Sequence, residues 1–146
     1  MPENLIERYL THMGEVRNTR SNVPETSFYP ALERLLSEIG KSLSPKVRCV
    51  INLANRGAGL PDGGLFSADQ FRGKYRDADA KENPFLDQNP SRGVIEAKPP
   101  SDDVGIVAGT GQVERYWKRY GMVLVTNFRT FVILMFCTEP ALEPML

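Results

Sequence analysis

Apolar positions along this chain recur with two different periods, and the switches between them mark out helices and strands. Between Asn4 and Met13, the residues Leu5, Ile6, Tyr9, Leu10 and Met13 fall at helical spacing opposite Glu7, Arg8 and His12. This predicts an amphipathic helix with His12, the only histidine, on its solvated side. The polar, breaker-rich stretch from Glu15 to Pro24 reads as a loop. A second stripe, Phe28, Leu32, Leu35, Leu36 and Ile39, predicts a second helix. Ser27 is placed to cap it, Pro30 suits its first turn, and Gly40 is a stop signal.

Beyond Pro45 the period shortens. Val47 to Leu53 is β-branched and apolar, which predicts a strand, and a glycine-rich connection from Asn55 to Gly64 follows. A short second strand begins near Asp62 and continues through Leu65-Phe66, and a third spans Gly93 to Lys98, where Pro99-Pro100 ends it. Between these two strands, Asp69 to Arg92 is charged and carries Pro84 and Pro90. It reads as a long surface excursion with at most a helical turn. Val104 to Val107, after Asp102-Asp103, is a candidate helix opening. A clearer helix runs from Thr110 through Gln112, Val113, Tyr116, Trp117 and Tyr120 to Gly121, with Arg115, Lys118 and Arg119 outward. Met122 to Thr126 and the run from Phe131 predict a last pair of strands about a turn at Asn127 to Thr130. The order α-β-β-β-α-β with one further strand predicts an α/β fold, a small mixed central sheet flanked by helices.

Length and charge narrow the function classes. The chain of 146 residues suits one compact domain. Its longest apolar run, Phe131 to Cys137, is too short to span a bilayer, and its first residues lack a basic start and an apolar stretch, so a soluble cytoplasmic protein is expected. Cys49 and Cys137 sit in apolar runs outside any CxxC or Cys/His cluster and read as small buried hydrophobes, not zinc ligands. The 18 basic and 18 acidic residues cancel, leaving no global basic field to advertise nucleic acid. A carboxylate cluster would hide a local basic surface in that total, so nucleic acid stays open as a partner.

The candidate chemistry lies in Gly93-Val94-Ile95-Glu96-Ala97-Lys98. Alternate strand positions project to one face, so Glu96 and Lys98 point the same way. Burying either charge alone costs roughly several kcal/mol, which places the pair at a strand end facing a polar cleft. Taken alone, Pro61-Asp62-Gly63-Gly64 is a turn signal, and Glu-x-Lys alone also fits an exposed edge strand. Together they put a carboxylate at the head of one strand and Glu-x-Lys on the next, with Ile95 and Ala97 apolar on the opposite face. Such an oxygen-rich pair suits Mg²⁺, and a lysine beside the metal positions a water and stabilises charge developing in phosphodiester hydrolysis. Glu33 is accounted for by solubility and helix electrostatics, whereas Glu25 stands evenly between that role and the site. The Gly57 to Gly64 loop lacks both the Lys-Ser/Thr ending of a P-loop and a dinucleotide fingerprint, which argues against a nucleotide cradle.

Pro61-Asp62 followed by Glu96-Ala97-Lys98 resembles the PD-(D/E)XK nuclease superfamily, and Gln112-Val113-Glu114-Arg115-Tyr116 is similar to the Gln-x-x-x-Tyr motif of its RecB-like branch. Three segments, 24–32, 54–64 and 92–98, also resemble the N-terminal nuclease region of restriction-modification polypeptides that carry an adenine-specific DNA methyltransferase. The likeness runs roughly from Tyr9 to Leu134. It implies a restriction-endonuclease-like core over residues 24–134, preceded by a helix and loop over 1–23 and followed by a tail over 135–146. It implies Asp62, Glu96 and the Ala97 carbonyl as ligands of Mg²⁺, with Mn²⁺ able to substitute, and Glu25 as a further carboxylate. Lys98 would orient the attacking water, Gln112 would support the site or contact DNA, and Tyr116 would pack there or touch the DNA backbone. Apart from the resemblance, Asn55, Arg56, Arg115, Lys118 and Arg119 fall near the expected cleft or on the helix after it, where they would meet phosphates of double-stranded DNA, although each taken alone reads as a solvated surface residue. Nothing here resembles a methyltransferase, so target recognition would come from a methyltransferase or specificity domain or subunit. The last residues depart from the family's continuation, which leads to the expectation of a truncated or frame-disrupted remnant. Two functions therefore compete: a Mg²⁺-dependent DNA endonuclease domain, and a catalytically silent DNA-binding or scaffolding module of a methyltransferase assembly.

Overall fold

The computed structural model of the chain describes residues 4–19, 23–51, 61–71 and 90–135. Helix α1 (Leu5–Arg17) leads through a 3₁₀ turn (Glu25–Phe28) into α2 (Tyr29–Lys41). Strands β1 (Val47–Ile51) and β2 (Gly63–Ser67) follow, then a second 3₁₀ turn (Ala68–Phe71) and β3 (Val94–Ala97). Helices α3 (Val104–Ala108) and α4 (Gly111–Tyr120) cross over to β4 (Met122–Thr126) and β5 (Phe131–Met135). The five strands form one sheet in chain order, antiparallel except for the parallel step from β3 to β4. That step requires a crossover, which α3 and α4 supply.

Alternation along β3 assigns the two faces of the sheet. Ile95 and Ala97 join Phe28, Tyr29, Leu32, Cys49, Leu124 and Phe128 on the α2 side. Val94 joins Val104, Val107, Val113, Tyr116, Val123 and Val125 under α3 and α4. A third cluster, Leu5, Tyr9, Ala31 and Leu35, packs α1 on α2, and the Tyr9 hydroxyl donates to the Phe128 carbonyl at 2.6 Å. The result is the expected α/β arrangement, a mixed sheet with helices on both faces.

Several element ends differ from the sequence reading. Helix α1 continues to Arg17, because Val16 extends the apolar stripe onto the α2 cluster beyond the polar positions that suggest a loop. Ser27 does not cap α2: it lies within the 3₁₀ turn, and the N-cap is Phe28, with φ −89° and ψ −11° and no side-chain cap hydrogen bond. A capping side chain needs an extended backbone, which a chain arriving already helical does not offer. Gly40 lies inside α2, where a Cβ would run into the Val47 backbone carbonyl, so this glycine sets the close approach of helix to strand. The ends of α4 follow the expectation: Thr110 accepts from the Val113 N–H at 3.4 Å, and Gly121 closes the helix at φ 83°. Asp103 caps α3, accepting from Gly105 at 2.8 Å, so the candidate opening is a real one. No helix among the described residues is long and apolar enough to cross a membrane. Cys49 is buried and free, as a small hydrophobe. Asn52, Leu53, most of the two long connections, Cys137 and the rest of 136–146 lie outside the described residues.

Gly40→Ala tests the helix–strand approach. Helix propensity favours alanine by about 1 kcal/mol, but the obstructing atom is a backbone carbonyl that cannot swing aside, and overpacking costs about 1–3 kcal/mol. Urea denaturation should show a net loss of stability; a gain would mean that α2 rides farther from β1.

Candidate active site

Because β2 runs antiparallel to β3, the head of β2 lies beside the C-terminal end of β3, with Gly63 opposite Ile95. Asp62, just before β2, is stitched to β3 twice. Its N–H donates to the Ile95 carbonyl at 3.1 Å, and its Oδ2 accepts the Ala97 N–H at 2.8 Å. Glu96 shares the face of Val94, toward α4, and is 3% exposed. Lys98, one residue past the strand and half-buried, places Nζ 3.0 Å from Glu96 Oε1. Its own N–H donates to the Thr126 carbonyl at 2.9 Å, prolonging the β3–β4 pairing and fixing where the side chain departs.

Two helices close the site from opposite faces. On the α4 side, Gln112 Nε2 donates to the Tyr116 hydroxyl at 3.1 Å, the i, i+4 spacing predicted for that pair. Burial pushes the Tyr116 hydroxyl up, and the charges of Glu96 and Asp62 add to it, so it senses the carboxylates. On the α2 side, Glu25 Oε2 accepts from the Tyr29 hydroxyl at 3.1 Å, and Glu25 Oε1 is buried with no partner among the described residues.

Glu25, Asp62 and Glu96 each hold a proton more readily than an ordinary carboxyl. Burial, then the charge of Asp62, pushes Glu96 to about 7 against the pull of Lys98. Burial raises Asp62 against the Ala97 N–H and Lys98, and burial followed by Asp62 raises Glu25. Burial alone would lower Lys98; its hydrogen bond to Glu96 and the charges of Glu96, Asp62 and Glu25 outweigh that and hold it ionised. A cluster of this kind gains from added positive charge.

The remaining candidates stand apart. Arg115, Lys118 and Arg119 are exposed on α4; Lys118 pairs with Glu114 at 3.0 Å, and Arg119 lies 5.3 Å from the Tyr120 ring centre. Asn55 and Arg56 lie outside the described residues. Tyr29 is the site residue that the sequence reading missed, although its i+4 spacing from Glu25 across a helix start was a usable signal. Among the described residues, no group of three or more His, Cys, Asp or Glu is arranged to hold a metal ion. A groove of about 600 Å³ between α1 and α2, lined by residues such as Tyr9, His12 and Arg34, includes none of the clustered charges.

No protein-family model and no curated protein matches the chain. Among solved structures it is similar to a chain of a DrdV–DNA complex determined by cryo-electron microscopy, with a TM-score of 0.55 at 15% identity. The match covers 90% of this chain and 11% of that one, so the present chain corresponds to a small part of that protein. At that identity the likeness is one of fold.

The Glu96 shift has a measurable sign. A carboxyl raised from 4.5 to about 7 contributes stability that is present below its unfolded value and lost as pH rises through about 7. In chelator, Glu96→Gln should match the wild type near pH 4 and unfold at a higher temperature near pH 8. Equal melting temperatures at both pH values would show that Glu96 is not strained by burial.

Proposed function

We propose that the chain is a Mg²⁺-dependent nuclease domain with a restriction-endonuclease-like core, hydrolysing phosphodiester bonds of double-stranded DNA within a restriction-modification system in the cytoplasm. The observation that supports this most is the meeting of Asp62, Glu96 and Lys98 at the adjoining ends of β2 and β3. Two carboxylates are enough for Mg²⁺, which commonly takes one or two from the protein and fills its remaining positions with water and substrate phosphate. Glu25 Oε1, buried without a partner among the described residues, is a further acceptor on the α2 side. The donor set therefore fits the ion chemically, although its carboxylates here are engaged by Ala97, Lys98 and Tyr29.

In this reading Asp62, Glu96 and the Ala97 carbonyl hold the metal, with Glu25 completing the carboxylate set. When bound, Mg²⁺ supplies Lewis-acid polarisation of the phosphate and a water of lowered pKa. The Ala97 N–H keeps Asp62 at the head of β2. Lys98, tethered to Glu96, orients the attacking water and stabilises the charge that builds on the phosphate oxygens. Gln112 holds Tyr116 in place on the α4 side. Asn55, Arg56, Arg115, Lys118 and Arg119 bind the DNA backbone without reading bases, and a methyltransferase or specificity domain or subunit supplies target recognition. The fold likeness to a protein in complex with DNA is consistent with that partner. A second reading, a DNA-binding or scaffolding module that never cuts, draws its support from the same engagement of Asp62 and Glu96 by protein donors.

Supercoiled-plasmid nicking across a divalent-metal titration separates the two. The wild type should nick with Mg²⁺ or Mn²⁺, and Lys98→Ala and Glu96→Ala should each lose roughly 100-fold or more in rate. Wild-type inactivity with every divalent metal, or undiminished nicking by Lys98→Ala, would reject the nuclease reading.

A further inference from the structure

We propose that Tyr29 is a positioning residue of this carboxylate site, its single hydroxyl hydrogen fixing the orientation of Glu25. The inference rests on the metal-site reading above. Tyr29 is 6% exposed, and its ring packs 5.9 Å from that of Phe128 in the cluster that includes Phe28 and Leu32. The ring is thereby held, and its hydroxyl delivered to one place. There it donates to Glu25 Oε2 at 3.1 Å. A phenol has one hydrogen to give, and here Glu25 receives it. With Oε2 tied to Tyr29 and Oε1 buried without a partner among the described residues, Glu25 has one acceptor left, in a fixed orientation. Partners of this kind behind a metal ligand commonly control its affinity.

Tyr29→Phe keeps the ring and removes the hydroxyl. Calorimetric titration of the full chain with Mn²⁺ should show affinity falling about 10-fold in this variant, with the melting temperature in chelator little changed. Combining it with Glu25→Gln should cost less than the sum of the two single losses, because one residue acts through the other. Unchanged Mn²⁺ affinity in Tyr29→Phe, fully additive losses, collapse of the fold in chelator, or absence of Mn²⁺ binding by the wild type would each overturn the inference. A wild type that binds Mn²⁺ but never nicks DNA, with Tyr29→Phe weakened, would keep the inference and reject the nuclease. Nicking lost in Lys98→Ala with Mn²⁺ affinity intact in Tyr29→Phe would do the reverse.

Discussion

A carboxylate buried at the end of a central strand must find compensation nearby, and the arrangement around Glu96 follows from that demand. Glu96 is almost wholly buried, yet its neighbours on β3 are apolar and offer it nothing. Compensation comes from Lys98, which is on the same face because two positions separate them, and which has solvent within reach because the strand has ended. Asp62 meets the same end of β3 through a backbone N–H instead of a cation. One carboxylate is thus held by charge and the other by a hydrogen bond, while their mutual repulsion remains. That residual repulsion is what the proposed divalent cation would relieve.

Topology determines which helices surround the site. The parallel step between β3 and β4 forces α3 and α4 onto the Val94 face, bringing Gln112 and Tyr116 behind Glu96. The opposite face belongs to α2, whose preceding 3₁₀ turn carries Glu25 to the same end of the sheet. The two apolar clusters that stabilise the layers therefore also aim the polar groups. Tyr29 belongs to both systems, its ring in the core and its hydroxyl on a carboxylate.

Much of this was legible in the residues because period and face are local properties. The Phe28–Leu32–Leu35 stripe, the shared side of Glu96 and Lys98, and the Gln112–Tyr116 spacing each follow from one element's geometry. What misled were signals whose meaning depends on a neighbour distant in sequence. Gly40 has the composition of a helix stop but serves the contact with Val47, and Ser27 has the chemistry of a cap but sits in a turn that is already helical. Tyr29 lies outside that stripe, and the fold places its ring in the core and its hydroxyl on Glu25. The assignment of Asn55 and Arg56 to a DNA surface rests on sequence alone.

The central claim is that the charges at the joined ends of β2 and β3 constitute a divalent-cation site. Paramagnetic broadening of backbone amide resonances by sub-stoichiometric Mn²⁺ tests it directly. The amides of Asp62, Ala97 and Lys98 should broaden first, and excess Mg²⁺ should restore them. Broadening confined to exposed acids such as Glu7 and Glu15 on α1, with those three amides unchanged, would contradict the account.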